Sequence, residues 1–230
     1  MADFANSESV ILKHVRAAWL NIFTPGEAMN GGEPKYKVTG LFEPGTENET
    51  VCKKAMVEAA SKLWGANAVN VIRSMPANNK ALRDGNNKME DDGSVRPEYA
   101  DLMFVSASNK SRPQVVGPKK HNGKFVTITE SGRGMVDGID VTEQLGYELK
   151  APYRGCYVNM KVQFVAGKQK TINKGGKEVI LPNQVYAKIE AVQFVADGEA
   201  FGAGPTSAEG FGEEEVTEKG DDPFDDDIPF

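Results

Sequence analysis

The chain has 230 residues, 40% of them hydrophobic, which is enough to build a core and excludes a wholly disordered protein. Its formal net charge of -6 averages two unlike parts. Residues 197–230 hold twelve acidic residues and one basic residue, which leaves 26 Lys and Arg against 21 Asp and Glu in residues 1–196. The sequence therefore predicts a basic body followed by an acidic interaction tail.

No segment has the pattern of a secreted or membrane protein. The first ten residues lack the basic and then apolar pattern of a signal peptide, and no apolar run approaches the roughly 18 residues of a membrane span. Cys52 and Cys156 are too few and too far apart for a disulfide framework, so we expect both to be reduced core residues. These features favour a cytoplasmic protein without a membrane partner.

The first predicted elements are two strands. Residues 10–23 form a β-branched and aromatic run that ends at a Pro-Gly pair, which predicts a strand. Residues 35–42 alternate between apolar side chains and the polar side chains of Lys35, Lys37 and Thr39. This alternation predicts a second strand that is half buried.

One helix is predicted next. Thr46 and Glu49 match the S/T-x-x-E pattern of a capping box, in which each side chain accepts a hydrogen bond from a backbone N–H. Apolar residues then recur at helical spacing as far as Leu63, and Gly65 supplies a stop. We expect this helix to pack its apolar face on a sheet.

The remaining sequence predicts further strands separated by polar segments. Residues 78–99 predict a long loop, and residues 102–107 and 125–129 predict strands on either side of a basic connection. Residues 157–165 alternate most clearly, and residues 185–195 predict the last strand. The predicted fold is therefore mainly β, an antiparallel barrel or sandwich with one flanking helix.

Two stretches, residues 110–124 and 150–177, contain basic residues and no acidic residue. Single-stranded nucleic acid requires cations along its phosphates and flat side chains on which bases stack, each stack being worth roughly 1–3 kcal/mol. An alternative remains open, in which these lysines only keep a sheet edge soluble. The candidate DNA-binding residues are Lys110, Arg112, Lys119, Lys120, Lys124, Tyr153, Arg154, Tyr157, Lys161, Lys168 and Lys170.

The last part of the chain predicts disorder, which divides the protein into a binding domain, residues 1–197, and a tail, residues 198–230. The tail ends in DDPFDDDIPF, an apolar tip on an acidic segment. Such a tip suits a pocket on a partner protein, and its acidic residues suit competition for a basic groove. The candidate partner-binding residues are Asp225, Asp226, Asp227, Ile228, Pro229 and Phe230.

DDDIPF resembles the C-terminal tip of bacterial single-stranded-DNA-binding proteins. Independently, YRGCYVNMKVQFVA and VYAKIEAVQFVADGEAFG resemble the closing strands of a family of phage-encoded single-stranded-DNA-binding proteins, a likeness that extends over residues from about 10 to 202. The resemblance implies an OB-fold, which is a Greek-key barrel with a groove for single strands. It also implies a role in phage DNA replication, recombination or repair in the host cytoplasm, DNA rather than RNA as the ligand, and Tyr153, Arg154 and Tyr157 near the groove.

Enzyme signals are weak in this sequence. The Gly176-Lys177 pair is followed by Glu instead of the Ser or Thr of a phosphate-binding loop, and the acidic residues near Asp84 and Asp92 do not match a calcium loop. We therefore expect no catalytic residue, no metal and no cofactor.

The first hypothesis is a non-catalytic protein that coats single-stranded DNA without strong sequence preference and docks replication or repair proteins through its tail. The alternatives are an acidic-tailed adaptor with incidental DNA affinity and a metal-dependent nucleic-acid enzyme. The oligomeric state stays open, and a homo-oligomer is compatible with the sequence.

Overall fold

The structure, a computed structural model, describes residues 3–27 and 32–202. Its strands are β1 (Phe4–Gly26), β2 (Lys35–Phe42), β3 (Leu82–Asp84), β4 (Met103–Asn109), β5 (Gln114–His121), β6 (Lys124–Ile128), β7 (Gly134–Val136), β8 (Ile139–Asp140), β9 (Tyr157–Gly167), β10 (Lys170–Lys174), β11 (Lys177–Leu181) and β12 (Gln184–Ala196). Its helices are α1 (Glu47–Trp64) and α2 (Ala68–Ser74). The predicted mainly β fold is confirmed.

Five strands close into a barrel in the order β1, β2, β4, β12, β9 and back to β1. Neighbouring strands are antiparallel except β4 and β12, where Ala107 lies opposite Ala187 in a parallel pair. Strand β1 has register shifts that bend it, and so it pairs with β9 through its first part and with β2 through its second part. A closed five-stranded Greek-key barrel is the architecture of the OB-fold.

Inward side chains of the barrel strands form the core. On β9, Val158, Met160, Val162 and Phe164 are fully buried, and the residues between them face outward, as the predicted alternation requires. They belong to one cluster with inward residues of the other strands, among them Leu12, Val38, Val105 and Ile189. Each fully buried side chain of this kind contributes roughly 1.5–3 kcal/mol.

Helix α1 packs against β1 and β9 with a buried face that includes Cys52 and Met56. The predicted capping box is wrong in detail. The Thr46 hydroxyl donates to the carbonyl oxygen of Glu43 at 2.8 Å, and the Glu49 carboxylate accepts a 2.6 Å hydrogen bond from the Gly45 N–H. The turn before the helix thus supplies the donor that the Thr46 backbone was expected to supply.

Three segments predicted as loops contain strands. Residues 78–99 include β3, which pairs with β4, and residues 110–124 include β5, which pairs in parallel with β12. Residues 167–177, whose Lys-rich and Gly-rich sequence predicts a connector between the strands at 157–165 and 185–195, include β10, which forms a hairpin with β11. Strands β6, β7 and β8 continue the sheet beyond β5. These edge and hairpin strands carry many polar residues, and so their sequences resemble those of loops.

The two cysteines are buried and free, as expected. Burial raises the pKa of the Cys52 thiol to about 12 and that of the Cys156 thiol to about 11. Within residues 3–27 and 32–202, no helix has the length and apolar character to span a membrane. The same residues contain no cluster of three or more His, Cys, Asp or Glu side chains that could hold a metal ion.

After β12, residues 197–202 run back along the barrel, and we call them the C-terminal strap. The Tyr153 hydroxyl lies 3.0 Å from the Asp197 carboxylate and accepts a 3.0 Å hydrogen bond from the Gly198 N–H. The boundary expected between residues 197 and 198 stays a prediction. The predicted disorder of the tail beyond residue 202, and the motif at residues 225–230, lie outside the described residues.

Candidate nucleic-acid interface

Strands β1, β2 and β4 present one continuous outer surface. Because side chains alternate along a strand, every second residue points outward, and the register of the three strands aligns these residues in rows. We call the surface of these three rows the β1–β2–β4 face. The rows are Asn21, Lys37 and Ser108; Trp19, Thr39 and Ser106; and Arg16, Leu41 and Phe104.

A groove of about 500 Å³ runs over the first two rows. Asn21, Ser106 and Ser108 are short polar side chains that line it. The Ser106 hydroxyl is joined by a 2.8 Å hydrogen bond to the hydroxyl of Thr39, which is buried beside the groove. Lys35, Lys37 and Trp19 also line it. The Trp19 side chain is 43% exposed, and so an aromatic ring and two cations border a shallow channel.

Lys37 on β2 is close enough to two cations across β4, Arg83 on β3 and Lys88, to be repelled by them. The pKa of Lys37 is lowered, first because its ammonium group is partly removed from water and then because Lys88 and Arg83 repel it. None of the ion pairs within the described ranges includes these three side chains. A group of like charges without carboxylate partners favours an anion such as phosphate.

Arginines accompany both aromatic residues of the three rows. The Arg154 guanidinium carbon lies 5.3 Å from the centre of the Trp19 ring, and that of Arg83 lies 4.7 Å from the centre of the Phe104 ring. Phe104 is buried, and so Trp19 is the aromatic residue of the rows whose ring is open to solvent.

Two residues predicted to bind DNA, Lys110 and Arg112, lie beside the groove. Lys110 forms an ion pair with Glu33, a residue that lines the groove, and this hydrogen bond is the main reason why the pKa of Glu33 is lowered. The Arg112 guanidinium carbon lies 5.5 Å from the centre of the Phe23 ring on β1. Arg154, also predicted, contacts Trp19 as described above.

Lys119, Lys120 and Lys124 lie on the β5–β6 hairpin, which is separated from β4 by β12. Each contacts a neighbour: Lys119 lies 5.4 Å from the centre of the Tyr147 ring, Lys120 lies 4.7 Å from that of Phe125, and Lys124 forms an ion pair with Asp137. The structure does not bring these three lysines into the groove.

Tyr157 and Lys161 lie on the outer side of β9, which pairs with the opposite edge of β1 from β2. The Tyr157 ring stacks on the His14 ring with centroids 4.5 Å apart, and the Lys161 ammonium lies 3.3 Å from the Glu190 carboxylate. Lys161 therefore belongs to a different surface from the groove. Tyr157 does not line the groove either, but it pairs with Arg16 and lines a cavity of about 520 Å³ together with Arg16 and Leu41, at the third-row end of the β1–β2–β4 face.

The three remaining predicted residues have other positions. The Tyr153 hydroxyl is bonded to the C-terminal strap. Lys168 and Lys170 lie at the start of the β10–β11 hairpin, where the Lys168 N–H donates a 2.9 Å hydrogen bond to the carbonyl oxygen of Asp3.

The sequence argument did not select Trp19, Lys37, Arg83 or Lys88. A signal existed for Lys37, because the alternation of β2 placed it on the polar side of a half-buried strand. Arg83 and Lys88 fell within the predicted long loop, where no spacing in the sequence marks β3.

Comparison with known proteins identifies the family. The family model described as Enterobacter phage Enc34, ssDNA-binding protein, matches residues 8–222. The chain belongs to this family. Protein p50 of Acyrthosiphon pisum secondary endosymbiont phage 1 is 31% identical over 214 residues, which cover 90% of this chain and 95% of that protein. The predicted resemblance to phage single-stranded-DNA-binding proteins is confirmed, and the Enc34 family is one of DNA-binding proteins and not of enzymes.

Solved structures from bacteriophage Enc34 have a similar fold. The single-stranded-DNA-binding protein of that phage in complex with ssDNA matches with a TM-score of 0.54 at 17% identity, over 84% of this chain and 89% of that chain. A C-terminal truncation of the same protein matches with a TM-score of 0.52 at 17% identity, over 84% and 88% of the two chains. At this identity the likeness shows the fold, which agrees with the predicted barrel.

Proposed function

We propose that this member of the Enc34 family binds single-stranded DNA along the β1–β2–β4 face, without strong sequence preference. The observation that carries the proposal is the position of Lys37 near Arg83 and Lys88, whose repulsion of Lys37 a phosphate would offset, beside the exposed ring of Trp19. In OB-folds, the face of the second and third barrel strands is the usual site for oligonucleotides, and here those strands are β2 and β4.

The chemistry of the face favours a single strand over a duplex. Its cations suit phosphates, and the Trp19 ring suits the flat side of a base, which a duplex hides in its stack. Every base has such a flat side, and phosphates carry no sequence information, so these contacts predict weak sequence preference. Ser106 and Ser108 line the groove and supply hydroxyl groups that can both donate and accept hydrogen bonds.

Fluorescence anisotropy with the full chain tests the proposal, using labelled oligo(dT), duplex DNA and single-stranded RNA across a series of salt concentrations. We expect salt-sensitive binding with preference for oligo(dT). Lys37→Glu should weaken oligo(dT) binding by about tenfold or more. It should also reduce the salt slope by roughly 0.7 for each phosphate that the protein no longer neutralises.

Lys54→Glu is the matched control, because Lys54 is exposed on α1 and the substitution changes the net charge equally. It should leave oligo(dT) binding nearly unchanged. Equal effects of the two substitutions would show that total charge, and not this face, determines binding, and would contradict the proposal.

The biological role that we propose is the coating of exposed strands during phage DNA replication, recombination or repair in the host cytoplasm. Weak sequence preference suits a protein that must cover any exposed strand. The relatives support this role, because one is encoded by a phage and the Enc34 protein is described in complex with ssDNA.

The acidic tail has two roles in this proposal. Its eleven acidic residues, against one basic residue, would compete with DNA for the cations of the β1–β2–β4 face when no strand is bound. Its apolar tip, Ile228, Pro229 and Phe230, preceded by Asp225, Asp226 and Asp227, would recruit replication or repair proteins.

A further inference from the structure

The C-terminal strap covers part of the same face that we propose for DNA. Phe201 packs against an apolar patch formed by Ala18, Leu41, Tyr99 and Phe104. Leu41 and Phe104 are outward residues of the third row, directly continuous with the rows that line the groove. The strap therefore occupies one end of the β1–β2–β4 face.

The Phe201 ring lies beneath a guanidinium group. The Arg16 guanidinium carbon is 4.1 Å from the centre of that ring, and Arg16 Nη2 donates a 2.9 Å hydrogen bond to the carbonyl oxygen of Glu199. The Phe201 N–H donates a 3.1 Å hydrogen bond to the carbonyl oxygen of Arg154. Arg16 thus holds an aromatic ring against an apolar floor. The backbone of Arg154, whose guanidinium contacts Trp19, holds the strap through the hydrogen bond from Phe201.

The close approach of the strap depends on two glycines. A Cβ atom on Gly155 would overlap the carbonyl oxygen of Glu199, and a Cβ atom on Gly198 would overlap the carbonyl oxygen of Gly155. Gly155 also has a φ of +102°, which a residue with a side chain rarely adopts. The strap can therefore lie this close only because there is a glycine in the strap, Gly198, and a glycine in the segment that it contacts, Gly155.

We infer that the Arg16–Leu41–Phe104 row is a base-binding subsite, which Phe201 occupies while DNA is absent and which a nucleobase of single-stranded DNA takes when the strand binds. This inference rests on the proposed function and adds a site to it. A nucleobase is flat and has an exposed π-face, so it can take the place of the Phe201 ring between the Arg16 guanidinium and the apolar floor.

Exchange of Phe201 for a base has a consequence for the tail. When the ring leaves, the hydrogen bonds from the N–H groups of Phe201 and Gly198 are broken as well. The strap, residues 197–202, is then no longer held against the face. Binding of DNA at this subsite thereby frees the tail for its partners.

Hydrogen exchange of the full chain, with and without saturating oligo(dT), tests the inference directly. We expect the amides of Gly198 and Phe201 to exchange faster when DNA is bound, while the amides of the core strand β9 stay protected. Unchanged or slower exchange at these two amides would overturn it, because the strap would then stay in place beside the strand.

Phe201→Ala gives an independent test in the full chain. We expect it to tighten oligo(dT) binding by about 2- to 10-fold, the range that removal of one aromatic contact corresponds to, with an unchanged salt slope because no charge is altered. Phe4→Ala is the control, since Phe4 is 61% exposed and lies at the start of β1. Weaker or unchanged binding by Phe201→Ala would contradict competition at this subsite.

The two proposals fail in different ways. If Lys37→Glu does not weaken oligo(dT) binding, the β1–β2–β4 face is not the DNA site, and the proposed function fails. If Lys37→Glu weakens binding but Phe201→Ala does not tighten it, the face binds DNA and only the subsite is wrong.

Discussion

Arg154 lies over Trp19, with its guanidinium carbon 5.3 Å from the centre of the indole, while its Nε donates a 3.0 Å hydrogen bond to the carbonyl oxygen of Ala18. The hydrogen bond anchors the guanidinium to the backbone of β1, next to the residue whose ring it covers. The indole is therefore oriented before any ligand arrives, which reduces the entropy cost when a base stacks on it.

Replacement of Trp19 separates the two candidate stacking residues. Trp19→Ala should weaken binding to oligonucleotides of every sequence by a similar factor, about 5- to 100-fold, because a stacking contact is worth roughly 1–3 kcal/mol. Tyr157→Ala should lower affinity by a smaller factor, because Tyr157 borders only the Arg16 and Leu41 end of the face and its ring already stacks on His14. Anisotropy with several homopolymers measures both, and a larger decrease for Tyr157→Ala would move the site to the outer side of β9.

Alkaline pH should weaken DNA binding through Lys37. The pKa of Lys37 lies below its ordinary value of 10.5, and a bound phosphate favours the charged form, so affinity falls as the pH rises through the pKa of the free protein. The guanidinium of Lys37→Arg stays charged throughout the alkaline range in which Lys37 loses its charge, so this variant should retain its affinity to higher pH. Oligo(dT) titrations between about pH 7 and about pH 10 compare the two proteins. Identical pH profiles would argue against Lys37 as a phosphate ligand.

The barrel core can be tested by stability. Phe164→Ala should reduce the free energy of unfolding by about 3–5 kcal/mol, because Phe164 is fully buried among inward residues of the barrel. Phe125→Ala is the control, since its side chain is 48% exposed, and it should cost less than about 1 kcal/mol. Urea denaturation followed by circular dichroism measures both, and equal effects would contradict the packing described for β9.

The tail should compete with DNA through charge and recruit partners through its tip. Replacing Asp225, Asp226 and Asp227 together by Asn should tighten oligo(dT) binding at low salt. The gain should shrink as salt rises, because the screening length falls from about 10 Å at 0.1 M to about 3 Å at 1 M.

Phe230→Ala keeps all these charges and is the matched comparison. It should leave DNA affinity unchanged while it removes docking of replication or repair proteins, measured by pull-down with the full chain. If the triple substitution has no effect on DNA binding at low salt, the tail does not compete for the face.

Alternation along single strands was sufficient to predict two elements closely. Strand β2 spans the predicted residues, and β9 begins at the predicted residue and extends two residues farther. In each strand one side faces the core and the other faces away from it, so its own sequence carries the alternation. The prediction of a half-buried strand holds only for the first part of β2, because Val38 to Phe42 are buried on both sides.

The groove depends on how strands pair, which single-strand patterns do not contain. Trp19, Thr39 and Ser106 become neighbours only through the registers of β1 with β2 and of β2 with β4. The register shift between Ala17 and Trp19 also decides which side of the sheet Trp19 faces.

Stretches of basic residues along the chain did not predict which cations lie at the groove, because strand pairing decides which residues become neighbours. The sheet separates residues that are close in sequence, so that Lys110 lies beside the groove while Lys120 lies on a hairpin beyond β12. Arg83 enters the face because β3 pairs with the edge of β4, a contact that the polar sequence around it does not indicate.

The pairing of β12 with β4, β5 and β9 has a consequence for how the protein folds. As the chain is synthesised, the barrel cannot close until residues 184–196 have left the ribosome. The pair between β4 and β12 joins Ala107 to Ala187, which is 80 positions later in the chain. Contacts so distant in sequence slow folding, and the unpaired edges of β4 and β9 are open to association with other chains in the meantime. In refolding of the full chain, the slow step should be the pairing of β12 with β4 and β9 that closes the barrel.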